Sequence, residues 1–475
     1  MTTTPIKTRF APSPSGFLHL GNARTALFSA LLARPEPGVF LLRIEDTDQG
    51  RSKTEYIQAV EEDLRWLGLD WQEGPSVGGE HGPYLQSERD TIYRNYFDVL
   101  EQEGHAYLCF CSDRELDLTR KTQLAAGQPP RYPGTCARLS PDEVVARLQR
   151  GLQPTLRFRV PPRQMVEFDD LVRGPQKFNS GDIGDFIIRR ADGSPAFFFS
   201  NAIDDALMGV THVLRGEDHL TNTPRQILLL EALGLRVPSY GHISMILGAD
   251  GAPLSKRHGS RSIRELRETG YLPGAVTNYM ARLGHHYENN AYMDLDGLAA
   301  EFGAGHLGRA PAHYDTTHLL HWQREAIVHA HSDALWQWMG EEVHALVPEE
   351  DVPAFVAAVR TNVIFPEHAL KWARILCADP LELNDDAARQ VVSEAGSAFF
   401  EHALAGLERH HTDFKELVNH IKQETGAKGK ALFHPLRAAL TGELDGPEMT
   451  NVMPLLPLER ARARLQVCLE MADRK

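Results

Sequence analysis

The sequence predicts an α/β N-terminal half followed by an all-α C-terminal half. Three observations carry that reading. A strand, a turn broken by Pro12, Pro14 and Gly16, a helix and a second strand follow one another between Ile6 and Ile44. Strand and helix patterns keep alternating as far as Leu247. From Ser262 onward only helical spacing recurs, without strand repeats, a glycine-rich linker or a low-complexity tract.

The elements follow in order. Ile6–Phe10 reads as a short strand. A helix opens near Asn22, carries Leu27, Phe28, Leu31 and Leu32 at helical spacing, and ends at Pro35. Its mouth holds His19 and Gly21. Free backbone N–H groups and the positive end of the helix dipole make such a mouth suited to phosphate. Gly21 leaves room for a base or phosphate to approach, and His19 can donate to a phosphate oxygen. The second strand, Val39–Ile44, delivers Glu45-Asp46-Thr47-Asp48 to its C-terminal end, where open α/β sheets place ligands. Two amphipathic helices follow, one with Ile57, Val60, Leu64 and Leu67, the other with Ile92, Tyr96 and Leu100.

Cys109-Phe-Cys111 and Cys136 come next, with Tyr132 between them. Cys-x-Cys with a distant third Cys can hold zinc in two small knuckles. Tyr132 is a candidate fourth ligand. Three small buried thiols are the other reading. Ser140-Pro-Asp-Glu143 is a capping box that starts a helix. A strand at Thr155–Val160 follows. Asp185–Phe199 reads as two strands round an Asp192-Gly193 turn. Residues 106–194 therefore look like an insertion in the first domain. The sheet resumes at Ala196–Asn201, then a helix to Met208, a strand Thr211–Arg215 ending in Gly216-Glu-Asp-His219, a helix Arg225–Leu233 and a strand His242–Leu247. A glycine-rich basic loop, Gly248–Gly259, closes this half. Leu417, His420 and Ile421 read as a packed helical stripe, and His410 and His411 as surface residues.

Composition bounds the class. At 475 residues the chain exceeds one core, so about two to four domains are expected. A net charge of −14 argues against a general nucleic-acid coat protein. It leaves room for a local basic patch. Lys256, Arg257, Arg261, Arg264 and Arg267 form one, unless they are simply a solvated face. No apolar run reaches membrane-spanning length, and Met1–Lys7 lacks an apolar signal core. Five cysteines do not make a disulfide framework, so a reducing cytoplasm is the expected home.

The loops at Pro12–Asn22 and Leu254–Gly259 together resemble the paired signatures of class I aminoacyl-tRNA synthetases. His19-Leu-Gly-Asn22 resembles the HIGH signature, and Pro253-Leu-Ser-Lys-Arg257 the KMSKS loop. Ala11–Gly21, Leu42–Asp48, Val213–His219 and Leu254–Gly259 resemble the glutamyl-tRNA synthetase family, in order and at fitting separations. The resemblance is dense over roughly residues 5–330 and thinner beyond.

It implies a Rossmann-type catalytic domain in two halves, 1–105 and 195–240. A connective-peptide insertion, 106–194, would hold the tRNA acceptor end. A stem-contact region would span 241–322 with the KMSKS-like loop, and a helical anticodon-binding domain 323–475. It implies a monomer that uses ATP with Mg2+, L-glutamate and tRNA(Glu), with a structural Zn2+ in the cysteine cluster as a further expectation. His19 and Lys256 would be catalytic. ATP would meet His19, Gly21, Asn22, Asp218, Leu254, Ser255 and Lys256. Glutamate would meet Arg9, Ser13, Glu45, Phe197, Asn201 and Arg215. Three positions depart from the family pattern. Asn22 stands for the second His, Pro253 for the loop's first Lys, and Phe197 for a Tyr. A glutaminyl-tRNA synthetase shares the scaffold, but a pocket for a neutral amide has no use for Arg215. A tRNA-modifying glutamyl transferase usually stops before the anticodon bundles. A non-enzymatic tRNA-binding module would not need His19, Glu45 and Lys256 together.

Overall fold

The computed structural model describes residues 5–48, 50, 52–254, 261–378, 383, 385–411 and 413–473. These fall into two compact units. One comprises residues 1–267 with 276–316, the other 268–275 with 317–475.

The first unit is built on parallel strand pairs. β1 (Lys7–Phe10) pairs with β2 (Val39–Leu42) in register Lys7 to Val39 through Phe10 to Leu42. Parallel strands need a crossover. Here it is α1 (Leu20–Ala33), whose Leu20, Leu27, Phe28 and Leu31 are buried. Two amphipathic helices follow, α2 (Thr54–Trp66) and α3 (Asp90–Gln102).

The chain then makes an antiparallel sheet from β3 (Ala106–Cys109), β4 (Thr155–Phe158) and β7 (Phe186–Arg189), with β4 in the middle. Between β3 and β4 lie α4 (Asp113–Ala125) and α5 (Pro141–Gln149). Both open on a complete capping box, Ser112 with Glu115 and Ser140 with Glu143. Ser140→Ala should cost about 1 kcal/mol, read as a fall in Tm. β5 (Met165–Asp170) and β6 (Gly174–Asn179) form a hairpin that ends in α6 (Ser180–Ile183).

After β7 the observed path departs from the expected second strand. Arg189 makes one bridge to Pro195, and Phe197–Leu207 is a single helix, α7. Three consecutive phenylalanines favour strand by propensity alone. Burial decides otherwise: Phe199, Ala202 and Ile203 share a buried helical face, and Phe199 stacks on Phe97 at 4.2 Å. β8 (His212–Gly216) then pairs in parallel with β9 (Ser239–Ile243), and α8 (Thr223–Ala232) is the crossover. Thr211 N–H donates to the Lys7 carbonyl at 2.8 Å, which sets β8 beside β1.

The last expected strand is interrupted. β9 stops at Ile243, and β10 (Ile246–Leu247) pairs with β11 (Ala312–His313), a short strand among the helical patterns. At the break, Arg24 donates to the Ser244 carbonyl and Glu217 Oε1 accepts from Met245 N–H at 2.8 Å. Side chains thus take up the backbone groups that a continuous strand would have paired.

The second unit is helical. Its core gathers Phe355, Phe400, Leu407, Leu436 and Leu465. Leu417, His420 and Ile421 are buried on one helix face, as their spacing predicts, while His411 is exposed. Among the described residues, no helix is long and apolar enough to cross a membrane.

Candidate active site

The C-terminal ends of β1, β2, β8 and β9 and the mouth of α1 surround a cavity of about 490 Å³. Arg9, Ser13, His19, Gly21, Asn22, Glu45, Phe197, Asn201, Arg215, Asp218 and Leu254 all line it. Ser255 and Lys256 lie outside the described residues. The chain reaches them from Leu254, whose N–H donates to the Ile246 carbonyl at 2.9 Å. Beyond them, Ser262 bridges to His19, and Ile263 N–H donates to the Leu18 carbonyl at 2.8 Å.

His19 is the N-cap of α1, which opens at Leu20 rather than near Asn22. Its Nδ1 accepts from Gly21 N–H at 3.2 Å. That places the ring proton on Nε2, which can donate to an anion. The Gly21 N–H is therefore already taken. A Cβ at residue 21 would lie 3.1 Å from the His19 ring. Glycine here admits the capping imidazole. His19 is exposed, and the protein packed round its ring lowers its pKa through desolvation.

Glu45 follows β2. Its N–H donates to the Pro12 carbonyl at 3.0 Å, which ties the Pro-rich turn and Ser13 to the strand end. Its Oε1 accepts from Asn201 Nδ2 at 2.6 Å and from Arg43 Nη2 at 3.1 Å. Burial pushes its pKa up, against the pull of Arg43 and Asn201. An incoming cation would favour the charged form. Asn201 Oδ1 accepts from Gln226 Nε2 at 2.9 Å. Both ends of this amide are thus engaged, so Asn201 orients Glu45 as well as facing the cavity.

Arg9 Nε donates to Asp205 Oδ1 at 3.1 Å, and Arg43 Nη1 donates to the same oxygen at 2.7 Å. Asp204, next along α7, accepts from Arg89, Gln86 and Tyr93 at 2.7–2.8 Å. This buried network fixes two cavity walls, β1–β2 and α7, against each other. Sequence reading passed over it. The available signal was Arg43, a charge in an otherwise apolar strand, which must find a buried partner.

Arg215 sits on β8 and is buried. Its Nε donates to His242 Nε2 at 3.1 Å, and its Nη2 to Thr223 Oγ1 at 2.8 Å. Nη1 is buried with no hydrogen-bond partner among the described residues. Burial pulls its pKa down to about 10, so it stays charged at neutral pH. The Phe197 ring lies 5.3 Å from that of His219, another cavity residue. Asp218 is exposed and sits 3.6 Å from His219 Nε2.

The cysteine cluster stands apart, on β3 and the segments beyond it. The Sγ atoms of Cys109, Cys111 and Cys136 lie within 4.8 Å of one another. The Tyr132 hydroxyl is 3.4 Å from Cys109 Sγ and 3.5 Å from Cys111 Sγ.

Residues 5–321 match the family described as tRNA synthetases class I (E and Q), catalytic domain. The chain belongs to that family. Residues 331–469 match an anticodon binding domain. A synthetase of this class from Nitrosococcus oceani, named glutamate–tRNA ligase 2, is 62% identical over 99% of this chain and 100% of its own length. One of the same name from Alkalilimnicola ehrlichii is 55% identical over 99% of each. Among solved structures, a glutamate tRNA ligase from Elizabethkingia meningosepticum in complex with its amino acid superposes with a TM-score of 0.89. It is 28% identical and covers 98% of this chain and 99% of that one. In this synthetase, one cavity gathers every described residue that the motifs single out for ATP and glutamate.

Proposed function

We propose that the chain joins L-glutamate to tRNA(Glu) in two ATP-dependent steps. A glutamate carboxylate oxygen attacks the α-phosphorus of ATP, the bond to pyrophosphate breaks, and glutamyl-adenylate forms. A hydroxyl of the terminal adenosine of tRNA then attacks the acyl carbon, and AMP leaves. Positioning and charge stabilisation carry such steps. The observation that carries the reading is Arg215: a buried guanidinium on the cavity wall with one NH2 group that has no hydrogen-bond partner among the described residues. Full-length likeness to ligases named for glutamate supports it.

The residues take these roles. His19 Nε2 donates to the ATP phosphates beside Gly21, Asn22, Asp218, Leu254 and Ser255, and Lys256 neutralises the charge that builds on the leaving pyrophosphate. Magnesium shares that charge when bound with ATP. Glu45 receives the glutamate ammonium, with Ser13 beside it. Arg9 and Arg215 receive the carboxylates. Phe197 offers no hydroxyl to this pocket. ATP–pyrophosphate exchange tests the reading. Glutamate with tRNA(Glu) should support it, and exchange with glutamine but not glutamate would overturn it.

The insertion at 106–194 takes the acceptor end. A second cavity, of about 750 Å³, is lined by Arg120, Arg131, Arg157, Arg190, Arg225 and Phe198. Arginines suit phosphates, and aromatic rings suit unstacked bases. Phe197 lines both cavities.

Cys109, Cys111, Cys136 and Tyr132 would hold a structural zinc ion. Tetrahedral zinc sets sulfurs about 3.8 Å apart and a sulfur about 3.5 Å from an oxygen ligand. The Cys111–Cys136 separation is 3.7 Å, and the phenol lies 3.4 and 3.5 Å from two sulfurs. One sulfur pair and both phenol distances thus match the ion's geometry, and all three sulfurs lie within 4.8 Å of one another. Elemental analysis should find about one zinc per chain, and less than about 0.2 would remove the site. Chelation should lower Tm.

A further inference from the structure

Behind Arg215 lies a chain of buried groups that the reaction does not require directly. His242, on β9, is fully buried. Its Nδ1 lies 2.5 Å from Asp170 Oδ2, and its Nε2 3.1 Å from Arg215 Nε and 3.0 Å from Thr223 Oγ1. Asp170 ends β5, in the insertion. Its other oxygen accepts three backbone N–H groups, from Val172, Arg173 and His242, at 2.8–3.1 Å. These bonds fix the carboxylate, so Oδ2 can only accept from Nδ1. The ring then carries its proton on Nδ1 and turns a lone pair toward Arg215.

We propose that Asp170 and His242 are positioning residues for glutamate selection: Asp170 sets the tautomer of His242, and His242 holds Arg215 by its Nε–H. The proposal rests on the reading of Arg215 as the glutamate ligand given above. A guanidinium has five N–H donors and can turn about its stem. Held at Nε by His242 and at Nη2 by Thr223, it is left with Nη1 and the remaining Nη2 hydrogen for a carboxylate. Burial keeps the imidazole neutral, its pKa below the ordinary value despite Asp170. Hydrogen bonds from His242 and two backbone N–H groups hold the Asp170 carboxyl low against its own burial. Arg173 and Tyr240 also face the pair, and the Tyr240 ring lies 5.1 Å from the Arg215 guanidinium. A neutral ring that accepts is the only form that does not set N–H against N–H at Arg215.

Asp170→Asn tests this with almost no change of shape. The three backbone donors claim the amide oxygen, so the NH2 faces Nδ1. The ring proton moves to Nε2 and opposes the Arg215 Nε–H. In ATP–pyrophosphate exchange with the full-length protein and tRNA(Glu), KM for glutamate should rise by about tenfold or more while KM for ATP stays within about twofold. His242→Asn, which cannot reach Arg215, should behave alike. His242→Gln, whose amide oxygen reaches the Nε2 position, should recover to within about threefold of the parent. An unchanged KM for glutamate in Asp170→Asn overturns the proposal, and so does a Gln variant no better than Asn. Equal losses for glutamate and ATP with a lowered Tm mean scaffolding and overturn it too. If a His242 variant does not fold, Asp170→Asn decides alone. Arg215→Ala separates the two ideas. No effect there defeats the glutamate reading itself, whereas a loss there with Asp170→Asn unchanged defeats only the positioning.

Discussion

Arg215→Ala should cut kcat/KM for glutamate by about a hundredfold or more, about 3 kcal/mol, while activation of glutamine falls far less or rises. In the role proposed for it, the guanidinium would pair with the side-chain carboxylate through charge-assisted hydrogen bonds, each worth roughly 1.5–3 kcal/mol. Glutamine would turn amide hydrogens toward a donor group in a dry pocket. Such rejection exceeds what a size difference can give. The competing account makes Arg215 a structural arginine bridging to Glu217 or Asp218. The structure gives Glu217 other work: it pairs with Arg173 and accepts from Met245 N–H. Asp218 is exposed beside His219. Pyrophosphate exchange with each amino acid decides the matter. Equal losses for both, with the fold intact by circular dichroism, would make Arg215 scaffold and Arg9 the next suspect.

Lys256→Ala should lower kcat for adenylate formation by about thirtyfold to a thousandfold, roughly 2–4 kcal/mol, with a smaller change in ATP affinity. In the role proposed for it, its charge would be needed most when the bond to pyrophosphate is breaking, so the loss should fall on the transition state. The flanking chain supports this role. Leu254 lines the cavity two residues before Lys256, and Ser262 bridges to His19 six residues after it. Both ends of the segment are therefore tied to the site. An exchange rate equal to that of the parent would remove Lys256 from the mechanism.

What could be read from the sequence follows from the range over which each signal acts. β1, α1 and β2 were legible because a strand period, two prolines and a helical stripe all lie within about forty residues. The residues proposed for glutamate could be singled out only through motifs, since Arg9, Glu45, Asn201 and Arg215 come from four separate elements and meet at one cavity. The start of α7 was misread as strand, because a run of phenylalanines favours a strand until Phe199 finds Phe97; its second half was read as helix. The capping role of His19 was missed because it depends on a ring folding back over Gly21. Asp170 and His242 left no local trace: their contact spans 72 residues. Pairing at that range shows only when the backbone has closed.

The junction of β1 with β8 also sets the order in which the chain can assemble as it is made. β1 finds β2 within a few dozen residues, but Thr211, which joins it on the other side, lies 204 residues downstream. At about 5–20 residues per second on the ribosome, that is a wait of about 10–40 s. The antiparallel sheet needs no such wait, for β3, β4 and β7 pair among themselves. During the interval one edge of β1 remains open to any strand that passes, the ordinary starting point for misassembly. The strand left waiting for β8 is the one that carries Arg9.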